Sequence, residues 1–356
     1  MPRLPLVILA LSGSLLLSAC GTVCYYTQAV GGEVAVLRAR EPIAQVLRDP
    51  ATDPQLRQRL TLVRDARNWA VKALDLPDNG SYRSYADVGR PYVVWNVFAT
   101  PEFSTEPVEH CFPIAGCVGY QGWYSKQAAE RSAQQLAARG DDTHVSGVPA
   151  YSTLGWFDDP VLNTMMHWDD ATLLSTLFHE LAHQKLYIKH DTRFNESFAE
   201  FVGMQGLRDY EKAHGLPQSQ VLAERQVRSR QFTKLVLAAR DRLVALYREP
   251  LTADVMRERK AAVFAQLRTD YQALRDGPWH GYAGYDHFFD QPMNNARLLP
   301  FGLYDDDLPA FAALFTQNGG DWPRFYAAAR RLGKRPAAQR RAEIERLRQA
   351  GAADAS

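Results

Sequence analysis

Phe178-His179-Glu180-Leu181-Ala182-His183 decides how this chain reads. It lies in a stretch whose apolar residues, Leu173, Leu174, Leu177, Phe178, Leu181, Ala182 and Leu186, recur at helical spacing. Asp169 or Asp170 can cap its start. On a helix turning about 100° per residue, His179 and His183 lie about 40° apart on one face, one turn from each other. Two imidazoles so placed can meet one metal ion. Glu180 lies about 60° further round, outside the pair but within reach of a water beside the metal. The bland alternative is an amphipathic helix with two surface histidines. Against it, the histidines continue the apolar stripe, and an acidic pair follows on a second helical stretch. That stretch is Asn195-Glu196-Ser197-Phe198-Ala199-Glu200-Phe201, capped by Asp191 or Thr192, with Glu196 and Glu200 on a shared face.

The second segment resembles the Asn-Glu-x-x-x-Asp pattern of the thermolysin-like zinc peptidases, the gluzincins, with Glu200 where that family has aspartate. The resemblance implies Zn2+ held by His179, His183 and Glu196, with Glu200 supporting His179; Glu200 as the ligand is the alternative. One departure matters. Only twelve residues, 184 to 195, separate His183 from Glu196, fewer than the usual gluzincin connection. A tight turn around His190-Asp191 must therefore join the two helices.

The first residues read as a targeting device. Arg3 is basic, residues 4–16 are apolar, and Leu17-Ser18-Ala19-Cys20 ends the run. That ending resembles the lipobox of bacterial lipoproteins, which implies a signal peptide over 1–19 and acylation of Cys20. A plain signal peptide or short anchor is the alternative, but the apolar run falls short of the ~20 residues that span a bilayer. With Gly21 following Cys20, the expected location is the outer membrane, facing the periplasm.

Residues 20–356 are enough for one large domain or two closely packed ones. The net charge of +1, well mixed along the chain, gives no footprint for nucleic acid, and 46% apolar residues allow a sizeable core. Cys111-Phe-Pro-Ile-Ala-Gly-Cys117 brackets a loop that a disulfide could close, two free cysteines being the alternative; Cys24 is left over. Residues 42–49 and 54–74 read as helices, and Pro77-Asp78-Asn79-Gly80 as a turn. Strand patterns follow at 92–98, 118–123, 144–148 and 152–157, around a polar helix at 127–139. The expected fold is α+β and zincin-like. A small, mostly antiparallel sheet lobe (90–168) precedes the metal helices (170–208), and a helical lobe (218–335) follows. Leu154-Gly155-Trp156-Phe157 is the candidate strand whose edge pairs with an extended peptide, with an ordinary core strand as the alternative.

The series Trp95-Asn-Val-Phe-Ala, Cys111 to Cys117, Val148-Pro-Ala-Tyr-Ser-Thr-Leu-Gly-Trp-Phe-Asp-Asp-Pro, Phe178 to Gln184 and Phe194 to Ala199 resembles a bacterial lipoprotein family labelled putative aminopeptidase. That resemblance covers residues 20 to about 331 and implies a metallopeptidase. Residues 218–247 and 253–274 read as long helices. The stretch 279–303 gathers aromatic and polar residues, among them Tyr285, His287 and Arg297. In zincins a Tyr, His or Arg of the C-terminal lobe holds the oxyanion, which makes these three candidates, against ordinary aromatic packing. Residues 336–349 read as a separate charged helix before a tail. The expected activity is zinc-dependent hydrolysis of a peptide substrate with Glu180 as general base, and the family resemblance implies an aminopeptidase. A non-proteolytic metal-binding envelope protein and a cell-wall peptide amidase are the alternatives. Oligomeric state is not legible in the sequence, and neither is the choice between terminal and internal cleavage.

Overall fold

The computed structural model describes residues 23, 25–112, 116–153, 157–217, 220–301 and 307–353. The signal segment, Cys20, Cys24 and most of the candidate edge strand, Leu154 to Trp156, lie outside the described residues. The chain runs α1 (25–38), β1 (Arg40–Pro42), α2 (Ile43–Val46), α3 (Pro54–Ala73), β2 (Ser84–Ala86) and β3 (Val94–Pro101). It continues through β4 (His110–Phe112), β5 (Gly116–Val118), β6 (Tyr120–Trp123), α4 (Lys126–Ala137), β7 (Asp141–Val148) and β8 (Val161–Leu162). The helices α5 (Asp170–Lys185) and α6 (Thr192–Ala213) follow, then α7 (Gln220–Leu246) and α8 (Ala253–Asp276). Two short 3-10 turns, Asp286–Phe289 and Asn295–Leu298, precede α9 (Leu308–Gln317), α10 (Trp322–Gly333) and α11 (Ala337–Ala353). The architecture is α+β, and no helix among the described residues is long and apolar enough to cross a membrane.

Among the described residues the strands form two three-stranded sheets and an antiparallel pair, β4–β5, which the Cys111–Cys117 disulfide bridges. One sheet has the order β6-β3-β7, antiparallel throughout, with Asn96 of β3 opposite Gly122 on one side and Ser146 on the other. Side chains alternate across such a sheet. Trp95, Val97 and Ala99 of β3 pack against Ala129, Ala133 and Leu136 of α4, so the back face is a small core of its own. Val94 and Asn96 point the other way. Beyond β7, Ser152 and Thr153 are not in a strand, unlike the sequence pattern: their hydroxyls turn inward to the buried Asp159 carboxylate.

The main core is built on α3, α5, α6 and the last three helices. Leu173, Leu174, Leu177, Phe178 and Leu181 of α5 are at most 2% exposed, each worth about 1.5–3 kcal/mol of burial. Asp169 caps α5 by accepting from the Thr172 amide, and Asp191 caps α6 by accepting from Phe194. Helix α11, set apart by the sequence pattern, joins this core through Ile344 and Leu347. Its Arg340 also bonds Asp191, bracing the α5–α6 turn. A second core holds α7, α8 and residues 279–301.

Candidate active site

The α5–α6 turn is short because Asn195 locks it. The Asn195 side chain accepts from the Ile188 amide at 2.7 Å and donates to the Ile188 carbonyl at 2.8 Å. His190 takes a left-handed conformation, φ 62°, to make the reversal. Two helical turns on, Gly203 lets α6 approach α5, where a Cβ would meet the Ser175 carbonyl at 2.6 Å. Together these bring Glu196 over the two histidines.

The three donors converge. His179 Nε2 lies 3.0 Å from His183 Nε2, and Glu196 Oε2 lies 3.5 and 3.6 Å from them. A tetrahedral ion with ligands at about 2.0–2.1 Å holds neighbouring donors about 3.3 Å apart, so the spacing fits a zinc-sized cation. His179, His183 and Glu196 are the group among the described residues that both clusters in this way and is partly buried. His183 Nδ1 is buried with no hydrogen-bond partner among the described residues. Glu200 Oε2 lies 3.3 Å from Nδ1 of His179, and Gln226 of α7 donates to the other Glu200 oxygen at 3.2 Å.

The electrostatics describe a site short of positive charge. Burial works against a charged His179, but Glu196 and Glu200 on either side of the ring raise its pKa to about 10. Burial likewise opposes ionisation of Glu196, yet the two imidazoles pull its carboxyl down to about 2. Glu200 is lowered too, its burial outweighed by His179. A cation on the Nε2 atoms would take the place of the His179 proton.

The front face of the β6-β3-β7 sheet roofs the trio and leaves a cavity of about 630 Å³. His179, Glu180, His183 and Glu196 form its floor, with Val94, Asn96, Tyr120, Gly122 and Val148 above. Tyr25 and Ala29 of α1, with Tyr124, Tyr151 and Tyr187, complete the walls. Glu180 thus faces the cavity beside the trio. A family model described as "Putative aminopeptidase" matches residues 24–344. The chain belongs to that family. Membership supports peptidase chemistry at the level of class. Nothing matches among the curated proteins or among the solved structures.

This aminopeptidase-family chain places three sequence candidates elsewhere. Tyr285 stacks on Phe232 at 4.2 Å between ring centroids, in the second core. Arg297 is 5% exposed, bonds the Phe288 carbonyl and lies over the Phe288 ring. His287 sits exposed in the 3-10 turn between them. None lines the cavity, because the aromatic stretch folds onto α7 and α8 to bury its own rings. The tyrosines that do line it come from α1 (Tyr25), from β6 and just beyond it (Tyr120, Tyr124), from beyond β7 (Tyr151) and from just after α5 (Tyr187), and no local pattern links them. Gln226 and Gly203 were equally illegible: the one is a polar residue on a polar helix, the other a glycine inside a helical run.

Proposed function

We propose that the chain is a zinc-dependent peptidase hydrolysing peptide bonds with Glu180 as general base. The observation that carries this reading is the convergence of His179, His183 and Glu196 under a cavity that also exposes Glu180. The trio would hold the ion, and the ion would supply a Lewis acid that polarises the scissile carbonyl and acidifies water. Glu180, next to the trio but not part of it, takes the proton from the attacking water and passes it to the leaving amine. His179 is kept in one tautomer by donating from Nδ1 to Glu200, which leaves Nε2 as the donor atom toward the ion. The sheet above would orient the chain to be cut.

Zinc content and peptide hydrolysis, measured side by side on two variants, test the assignment. Glu180→Gln keeps its zinc and loses at least about a hundredfold in rate, the scale of a general base. Glu196→Gln loses zinc instead, because an anionic ligand is gone. A Glu180→Gln protein as active as the parent would end the peptidase reading. We further propose that Cys20 is acylated and holds the protein at the outer membrane. Cys20→Ser should then abolish fatty-acid labelling and release the protein from membranes; continued labelling would place the lipid elsewhere.

A further inference from the structure

Resting on the peptidase reading, we propose that α1 restricts the site to peptide ends. It closes the roof's outer edge, and its Glu33, through Tyr124 and Tyr151, anchors the free α-ammonium of the substrate's first residue.

The closure is in the backbone of β6. Gly122 donates its N–H to the Tyr25 hydroxyl at 3.2 Å, and its carbonyl accepts from Gln28 Nε2 at 3.0 Å. The Tyr124 amide donates to Gln28 Oε1 at 3.1 Å. Gly122 stands opposite Asn96 in the antiparallel pair, and both its backbone groups point away from β3. These are the groups an added strand would use. One glutamine amide and one phenol occupy them, so an extended peptide cannot run along β6 past this point. Tyr25, Ala29, Gly122 and Tyr124 line the same cavity as His179 and Glu180. The block therefore lies inside the substrate space.

The anchor sits at that closed end. Tyr124 donates its phenol proton to Glu33 Oε2 at 2.8 Å, and Tyr151 donates to the same oxygen. The two phenol oxygens lie 3.0 Å apart. With both protons committed to Glu33, each phenol oxygen keeps lone pairs for another donor. Burial first, and the Glu33 charge with it, raise both phenol pKa values, so the rings stay protonated. An ammonium brings three N–H donors and no acceptor, which matches two oxygens backed by a carboxylate. Arg90 lies over the face of the Tyr124 ring, 6.0 Å from its centroid, with two of its nitrogens spent on the Tyr92 and Val93 carbonyls. The acidic side chains lining the cavity, Glu180 and Glu196, are committed to proton transfer and to the ion. Glu33 stands behind the wall, and its charge reaches the amine through Tyr124 and Tyr151, which line the cavity.

The test compares matched peptides with a free and an acetylated N-terminus, on the zinc-loaded parent and on Glu33→Gln. The parent should cut the first bond of the free peptide and leave the acetylated one intact. Glu33→Gln should raise KM for the free peptide about ten- to a hundredfold, the worth of a hydrogen bond to a charge. Its kcat should hold, and the preference for a free amine should collapse. Gln28→Ala should let longer peptides be cut at internal bonds. If Glu33→Gln unfolds, Tyr151→Phe and Tyr124→Phe give the same readout. An unchanged free-to-acetylated ratio in all three anchor variants would overturn the anchor. Internal cleavage of acetylated peptides by the parent would overturn the whole inference and leave the peptidase reading standing. No hydrolysis of any peptide by the zinc-loaded parent would remove both.

Discussion

Nδ1 of His179 lies 3.3 Å from Oε2 of Glu200, while Nε2 of the same ring faces His183 and Glu196 at 3.0 and 3.5 Å. One imidazole is thus divided between a carboxylate that orients it and a trio that can share an ion. Glu200→Ala should cost about ten- to a hundredfold in zinc affinity or activity, as loss of a histidine's orienting partner does. Gln226→Ala, which removes only the donor behind Glu200, should cost less. Zinc titration of both variants beside Glu196→Gln checks the order. An empty site in Glu200→Ala with a full one in Glu196→Gln would make Glu200 the ligand.

Gly203 lets α6 pack tightly against α5. A Cβ there would stand 2.6 Å from the Ser175 carbonyl and 3.2 Å from His179 Cβ. The carbonyl belongs to a helix backbone and cannot step aside, so Gly203→Ala should push α6 outward. The expected loss is about 1–3 kcal/mol of stability, the usual range for overpacking, together with weaker zinc binding. Gly31 of α1 is the control, since a Cβ there meets nothing within 4 Å. Gly31→Ala should be neutral or stabilising by up to about 1 kcal/mol. Thermal unfolding with and without zinc reads both.

His144 of β7 gives a pH dependence away from the trio. It stacks on Phe98, and burial, helped by the Arg297 charge, pushes its pKa down to about 4 from 6.5. The unfolded chain therefore takes up a proton there before the folded one does. The neutral folded form is favoured above pH 6.5, and that advantage drains away as pH falls toward 4. Replacing His144 with Gln should flatten the stability profile in this window by about 1–3 kcal/mol. Denaturant unfolding at a series of pH values measures it, and a slope equal to the parent's would show that other groups set the acid limit.

Much of the His179, His183 and Glu196 cluster could be read without coordinates, because its signals are local. His179 and His183 share a face by helix geometry alone, Asp169 and Asp191 are caps readable from neighbouring residues, and Asn195 and Glu196 stand in one short motif. The apolar periods of α3, α5 and the long C-terminal helices are of the same kind. Periodicity reports which side of an element is buried, and it is silent on what that side meets. Tyr25, Tyr120, Tyr124, Tyr151 and Tyr187 become one wall only once β6, β3 and β7 pair and α1 crosses their edge. For the same reason Tyr285, His287 and Arg297 looked like partners of the site but do not line the cavity: residues 279–301 find a better apolar surface on α7 and α8. The local chain determined the floor of the site. Long-range strand pairing and helix packing decided its roof, its closed end and the residues that face the substrate.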